Sequence, residues 1–266
     1  MMQYAVIGSN TSLSLSPLLN NWIYSSIGFN AKYSFYEINN NQINDIIIKL
    51  RNNEINGINI TYPYKEEVSK YIDECESATG SIGSVNCIKS LNGKIIGYNT
   101  DYHGFASSIL YNNIKLNSNS ILVLGAGGAS RAICKYLNDM KINFSIYNRT
   151  INNSKRMMSS LGINNPKYIT SSLIGEKINT IINCISSDVD SFDVLSSIKY
   201  DFDFLDTFVD LNYNTELNSE LPKSSRYISG IDMLIFQALK SNEIWMGRDI
   251  SSEIDFNILK EFIRGK

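Results

Sequence analysis

The chain has 266 residues, with 24 Lys and Arg against 26 Asp and Glu, a net charge of −2 and a hydrophobic share of 43 %. This is a globular composition, long enough for one large domain or two smaller ones. A pI near 5.6 lacks the basic field with which a nucleic-acid binder displaces counterions from phosphates, and no apolar run is long enough to predict a membrane-spanning helix.

Met1 to Gly8 carries no basic leader and reads as a strand rather than a signal peptide. Ser16-Pro17 then opens a helix with a hydroxyl N-cap and proline at its first position, and Leu18, Leu19, Trp22 and Ile23 share a face as far as Gly28. Lys32 to Ile38 alternates as a strand, Ile43 to Leu50 has helical period, and Ile55 to Ile60 is a further strand. Pro63 is expected to start a helix through Ile72. Val85 to Lys89 and Lys94 to Tyr98 flank Asn92-Gly93, a hairpin signal. Thr100 or Asp101 should cap a helix to Tyr111, followed by a polar connector, Asn112 to Ser120. Ile121 to Leu124 is a compact strand, then a glycine turn, a helix to about Met140 and a strand from Phe144 to Tyr147. Strands near Thr180 to Asn183 and Phe204 to Val209, and helices over Ile231 to Ser241 and Ser252 to Ile263, complete an α/β pattern.

Cys75, Cys87, Cys134 and Cys184 fit neither a C-x-x-C pair nor a dense disulfide frame, and read as buried free thiols in a reducing cytoplasm. His103 is the single histidine, which removes multi-histidine metal sites and most Ser/His/Asp relays; it reads as a surface or helix residue, and Trp22 and Trp245 read as packing anchors. The run Gly125-Ala126-Gly127-Gly128-Ala129-Ser130 sits between a strand and a helix, where glycines let a pyrophosphate approach backbone N–H groups. A tight turn without ligand would use the same glycines. The next strand ends at Asn148-Arg149-Thr150 with no carboxylate for a ribose 2′-hydroxyl, and a guanidinium suits a 2′-phosphate, so NADP is favoured over NAD. No Gly-Lys-Ser/Thr follows the glycines, which argues against an NTPase. Lys65 falls in the first turn of the expected Pro63 helix, where a cation is disfavoured by about 0.3 to 1 kcal/mol. A solvated lysine and a capping Asp101 are the plain readings of those residues taken singly.

Taken together, Ser14-Leu15-Ser16-Pro17, Gly57 to Lys65, Gly83-Ser84-Val85-Asn86, Asn99-Thr100-Asp101, Gly125 to Ala129, Asn148-Arg149-Thr150, Asp210-Leu211-Asn212-Tyr213 and Gly230 to Leu234 with Gln237 resemble, in order and almost end to end, the shikimate dehydrogenase family. The resemblance implies an NADPH-dependent reduction of 3-dehydroshikimate to shikimate, a step toward chorismate and the aromatic amino acids, in a cytoplasmic monomer or homodimer whose partners are small molecules. It implies an N-terminal α/β substrate domain, residues 1–101 with 238–266, and a Rossmann-type doubly wound dinucleotide-binding domain, residues 102–237. It further implies that Ser14, Ser16 and Tyr213 bind the substrate carboxylate and that Thr61, Asn86, Asp101 and Gln237 hold its hydroxyls. Lys65 and Asp101 would be a hydrogen-bonded catalytic pair. Gly125, Ala126, Gly127, Gly128, Ala129, Asn148, Arg149, Thr150, Leu211 and Gly230 would hold the cofactor, and no metal is expected. The chain departs from the family pattern at Asn10, Leu13, Tyr102, Ile185 and Asn214. A dehydrogenase for quinate or an aminated substrate, a non-catalytic NADP-binding regulator and a methyltransferase are the competing readings.

Overall fold

The computed structural model describes residues 1–186, 188–213 and 221–265. The chain divides into two compact units, residues 1–105 with 234–266 and residues 106–233. The first begins β1 (Met2–Gly8), α1 (Ser16–Ser26), β2 (Ala31–Glu37), α2 (Ile43–Arg51), β3 (Gly57–Ile60), β4 (Glu74–Cys75), α3 (Ser77–Ile82), β5 (Cys87–Leu91) and β6 (Lys94–Tyr98), with α4 (Thr100–Tyr111) following. Its sheet has the order β2-β1-β3-β5-β6-β4. β1 runs parallel to both β2 and β3, and the expected hairpin places β5 antiparallel to β3 and β6. Asn92 and Gly93 both take positive φ, 52° and 77°, as a tight two-residue turn requires.

Packing follows the period of each element. Ile43, Ile46, Ile47 and Leu50 of α2 are all buried, in one cluster with Ala5, Ile7, Ile58 and Ile60 on one sheet face. On the alternate residues of β1, Tyr4 stacks on Trp245 at 4.7 Å and lies 5.8 Å from Tyr24 of α1. Trp245 is pressed so close to β3 that a Cβ on Gly57 would come within 2.3 Å of its Nε1. That Nε1 donates to the Ile88 carbonyl at 2.9 Å. At the open side of β2, the Asn21 side chain accepts from the Tyr33 N–H at 2.9 Å and donates to the Tyr33 carbonyl at 2.8 Å.

Three local expectations are corrected. Ser16 is the first helical residue of α1, not its N-cap; the Ser14 hydroxyl accepts the Ser16 N–H at 3.2 Å and the helix starts one residue early. The stretch after Pro63 is no α-helix but turns followed by a short 3₁₀ segment, Glu67–Tyr71. The Lys65 carbonyl is taken by the Val85 N–H at 2.8 Å, so it cannot serve a helical ladder, and the dipole argument against a cation at Lys65 falls away. Among the cysteines only Cys87 and Cys134 are buried; Cys184 is half-buried, and Cys75, on the two-residue strand β4, is exposed.

The second unit holds β7 (Ile121–Leu124), α5 (Gly128–Asp139), β8 (Ser145–Tyr147), α6 (Ile151–Ser160), β9 (Lys167–Ile169), β10 (Thr180–Asn183), α7 (Ser191–Ser197), β11 (Thr207–Asp210) and β12 (Arg226–Ser229). All pairings are parallel, in the order β12-β11-β10-β7-β8-β9. This is the doubly wound Rossmann-type order, with its switch point between β7 and β10. Every residue of β7, β10 and β11 is buried, as central parallel strands require. The chain ends with α8 (Gly230–Met246) and α9 (Phe256–Arg264). None of the helices among the described residues is long and apolar enough to cross a membrane.

Candidate active site

The topology of the first sheet gathers its chemistry at one end. β1 and β3 are parallel and adjacent, and the crossovers from β1 to β2 and on to β3 leave in opposite directions, which makes their C-terminal ends a switch point. The loops that follow are stitched together: the Thr61 N–H donates to the Ile7 carbonyl at 2.9 Å and the Ser9 N–H to the Tyr62 carbonyl at 3.2 Å. Ser14 and Ser16 therefore leave the same sheet end as Thr61 and Lys65. Because β5 and β6 form a hairpin antiparallel to β3, the residue before β5 and those after β6 arrive there too. The Ile60 N–H donates to the Asn86 carbonyl at 2.9 Å, and the Asn86 N–H to the Tyr98 carbonyl at 3.1 Å.

At this end Lys65 Nζ donates to Asp101 Oδ2 at 2.5 Å, with side-chain exposures of 17 % and 2 %. The other carboxylate oxygen accepts from Asn86 Nδ2 at 2.8 Å. Asn86 is oriented in turn by the Thr100 N–H, which donates to its Oδ1 at 2.6 Å, and its Nδ2 lies 3.4 Å from Gln237 Oε1. The expected pair thus forms across 36 residues of sequence, and Asn86 and Gln237 adjoin it. Asp101 is not the cap of α4. Asn99 takes that role, its Oδ1 accepting the Tyr102 N–H at 3.1 Å, which leaves the Asp101 carboxylate committed to Lys65 and Asn86. With Asp101 buried and Lys65 half-buried, removing one partner strands the other charge in a largely desolvated place.

In the second unit the glycine turn occupies the switch point between β7 and β10. Gly125 takes φ +99°, and a Cβ there would sit 3.1 Å from the Cys184 carbonyl oxygen. Gly127 is exposed and a Cβ on it would meet nothing within 4 Å, so its backbone faces open space. α5 starts at Gly128, and by helix geometry the N–H groups of Gly128, Ala129 and Ser130 have no intrahelical acceptor. That is a cradle for an anion. Ala129 is the second residue of that helix. The end of β8 carries Asn148, whose Nδ2 donates to the Thr150 carbonyl at 2.8 Å, an exposed Arg149 and no carboxylate. Leu211 follows β11, and its carbonyl lies so near Gly230 that a Cβ there would come within 2.3 Å of it. The residues present therefore fit a dinucleotide bearing a 2′-phosphate.

Tyr213 is half-buried after β11 in the second unit, and Asn214 lies outside the described residues. His103 is an exposed residue of α4, and no group of three or more His, Cys, Asp or Glu able to hold a metal occurs among the described residues. The sequence assigns no role to the polar groups behind the two sites, although Asn59, Thr100 and Asp210 lie within its motifs. Thr100, Asn59 and Ser241 back the Lys65–Asp101 pair, and Asp210, wholly buried, accepts from Asn183 Nδ2 at 3.0 Å and from the Asn212 N–H at 3.0 Å, holding the loops after β10 and β11. A polar residue amid an apolar strand end was the available signal for Asn59, Asn183 and Asp210.

A shikimate dehydrogenase substrate binding domain model matches residues 6–88, and a shikimate / quinate 5-dehydrogenase model matches residues 106–194. The shikimate dehydrogenase (NADP(+)) of Aquifex aeolicus is 31 % identical over 98 % of this chain and 96 % of its own length. That of Staphylococcus haemolyticus is 32 % identical over 93 % of each. Among solved structures, shikimate dehydrogenase from Aquifex aeolicus superposes with a TM-score of 0.85 at 29 % identity, covering 100 % of this chain and 98 % of its own. Shikimate dehydrogenase 1 from Peptoclostridium difficile does so with a TM-score of 0.80 at 28 % identity over 100 % and 97 %. With two domain models in the expected order and relatives aligned along nearly the whole chain, the protein belongs to the shikimate dehydrogenase family.

Proposed function

We propose that this chain catalyses the reversible, NADPH-dependent reduction of 3-dehydroshikimate to shikimate in the cytoplasm, on the route to chorismate and the aromatic amino acids. The observation that carries the reading is the Lys65–Asp101 pair, 2.5 Å apart at a sheet switch point, with Asp101 buried and Lys65 half-buried. In it the first unit is the substrate domain and the second the dinucleotide domain.

NADPH supplies the hydride when bound. Lys65 Nζ carries the proton that the ketone oxygen takes up, and its charge favours the negative character developing on that oxygen. Asp101 holds the ammonium in place through the 2.5 Å hydrogen bond from Nζ. Asn86 fixes the carboxylate from the other side, and with Thr61 and Gln237 offers polar groups to the ring hydroxyls, each of which would cost about 1 to 3 kcal/mol if buried unpaired. Ser14 and Ser16, at the start of α1, are assigned to the substrate carboxylate, where hydroxyls and a helix N-terminus both favour an anion. In the second unit the Gly125 to Ala129 turn receives the pyrophosphate, and Arg149, between Asn148 and Thr150, meets the 2′-phosphate.

Initial rates of shikimate oxidation with NADP, beside quinate and NAD, test substrate and cofactor together. Lys65→Met and Asp101→Asn are each expected to lower kcat by about 10²- to 10⁴-fold, the usual worth of positioned acid–base groups, while NADPH affinity stays near the parent value and the melting temperature falls as far as the stranded partner charge requires. Saturable NADPH binding with no turnover of any ring ketone would leave a regulator instead. Turnover of quinate in preference to shikimate would move the chain to the neighbouring activity.

A further inference from the structure

A second layer of polar side chains adjoins the Lys65–Asp101 pair through Asn86. Tyr33, 2 % exposed on β2, donates its hydroxyl to Asn59 Oδ1 at 2.7 Å. This leaves Asn59 Nδ2 to donate twice, to the Asn86 carbonyl at 3.1 Å and to Ser241 Oγ at 2.9 Å. The opposite amide orientation would set Asn59 Oδ1 against the Asn86 carbonyl, two acceptors face to face, so the partners dictate which end points where. Ser241 is wholly buried on α8; its hydroxyl donates to the Gln237 carbonyl at 2.9 Å and lies 3.3 Å from Thr100 Oγ1.

We infer that Tyr33 and Ser241 are positioning residues for the proposed reaction, acting through the Asn59 amide on Asn86 and thereby on the carboxylate that holds Lys65. The Asn86 carbonyl receives the Ile60 N–H and Asn59 Nδ2, so both of its lone pairs are engaged. With its peptide anchored from behind, the Asn86 side chain spans from the Thr100 N–H to Asp101 Oδ1 and turns Oδ2 toward Lys65 Nζ. Two anchors on one amide, one on β2 and one on α8, give it a single orientation. Loss of either frees the same group, so their effects share one route. Buried polar networks of this kind are worth more as a set than pairwise deletions suggest.

The inference rests on the functional reading above, and the experiment separates the two. Steady-state oxidation of shikimate by NADP is measured for the parent, Tyr33→Phe, Ser241→Ala, the double variant and Ser241→Thr, each well below the onset of its own melting curve. Tyr33→Phe and Ser241→Ala should each lower kcat about fivefold, the worth of roughly one hydrogen bond. NADPH affinity should stay within about twofold, and Ser241→Thr should restore most of the rate. The double variant should lose little more than either single one, because both act through Asn59. Unchanged kcat in the single variants, or losses that multiply in the double variant, would overturn the inference even if the parent is fully active. A parent that turns over no ring ketone would overturn the functional reading and this inference with it. Should Ser241→Ala fail to fold, Tyr33→Phe, which deletes one hydroxyl only, decides the matter by the same kcat reading.

Discussion

Gly127→Ala separates a phosphate cradle from a merely tight turn. Gly127 has φ −97° and ψ −170°, extended backbone that alanine adopts freely, and the added methyl would touch no protein atom within 4 Å. Alanine is a poorer N-cap than glycine by up to about 1 kcal/mol, while the unfolded chain loses entropy worth about 0.4 to 1 kcal/mol in the opposite sense. Stability should therefore move by less than about 1 kcal/mol. The methyl does, however, stand in the space through which an anion must approach the N–H groups of Gly128, Ala129 and Ser130. Losing one charge-assisted hydrogen bond, about 1.5 to 3 kcal/mol, weakens NADPH binding about ten- to hundredfold. The assay is a fluorescence titration of NADPH beside a melting curve. Arg149→Ala, run in parallel, should weaken NADPH and leave NADH unchanged, because only the former carries the 2′-phosphate. Parent-like NADPH affinity in Gly127→Ala would refute the cradle, and the glycines would then serve the chain turn alone.

Two predictions concern the scaffold. Gly57→Ala drives a methyl to within 2.3 Å of Trp245 Nε1 and 2.6 Å of its Cδ1; the indole must leave the Ile88 carbonyl and its stack on Tyr4, costing about 2 to 4 kcal/mol in urea unfolding from overpacking and a lost buried hydrogen bond, and a loss below about 0.5 kcal/mol would show that the ring relocates freely. The Asp73 carboxyl is held below its ordinary range by Arg51, which donates at 2.9 Å, and by the Ile95 N–H at 2.8 Å. A depressed folded-state value stabilises above the unfolded pKa and is lost as pH falls through the folded one, so Asp73→Asn should lower the urea midpoint at pH 7 and converge with the parent toward pH 3, near and below the usual Asp range of about 4; parallel curves down to pH 3 would contradict the linkage.

How much of this was legible depends on whether the signal was local. Periodicity placed α2, whose buried residues fall at 43, 46, 47 and 50, and the Asn-Gly step placed the β5–β6 turn. The two-residue β4, the three-residue β9 and the six-residue α3 with Gly80 inside it carry too few residues for any period to emerge. α6, Ile-Asn-Asn-Ser-Lys-Arg-Met-Met-Ser-Ser, offers only three buried positions, Ser154, Met157 and Met158. Lys65 was misplaced onto a helix because nothing near it in sequence shows that Val85, twenty residues on, would claim its carbonyl. For Asp101 the neighbouring Asn99 is an equally good cap, and local rules do not choose between them. The Lys65–Asp101 pairing was reached only through the resemblance of several motifs in register.

The side chain of Asn21 has a consequence beyond the fold of one chain. β2 is an edge strand with Phe35 and Tyr36 both more than a third exposed, the kind of border that can recruit a foreign strand. Asn21 answers the outward N–H and carbonyl of Tyr33 as a neighbouring peptide would. Its amide acts as a stopper one residue long, and any intruding polypeptide would have to evict it before the ladder could grow past the middle of β2.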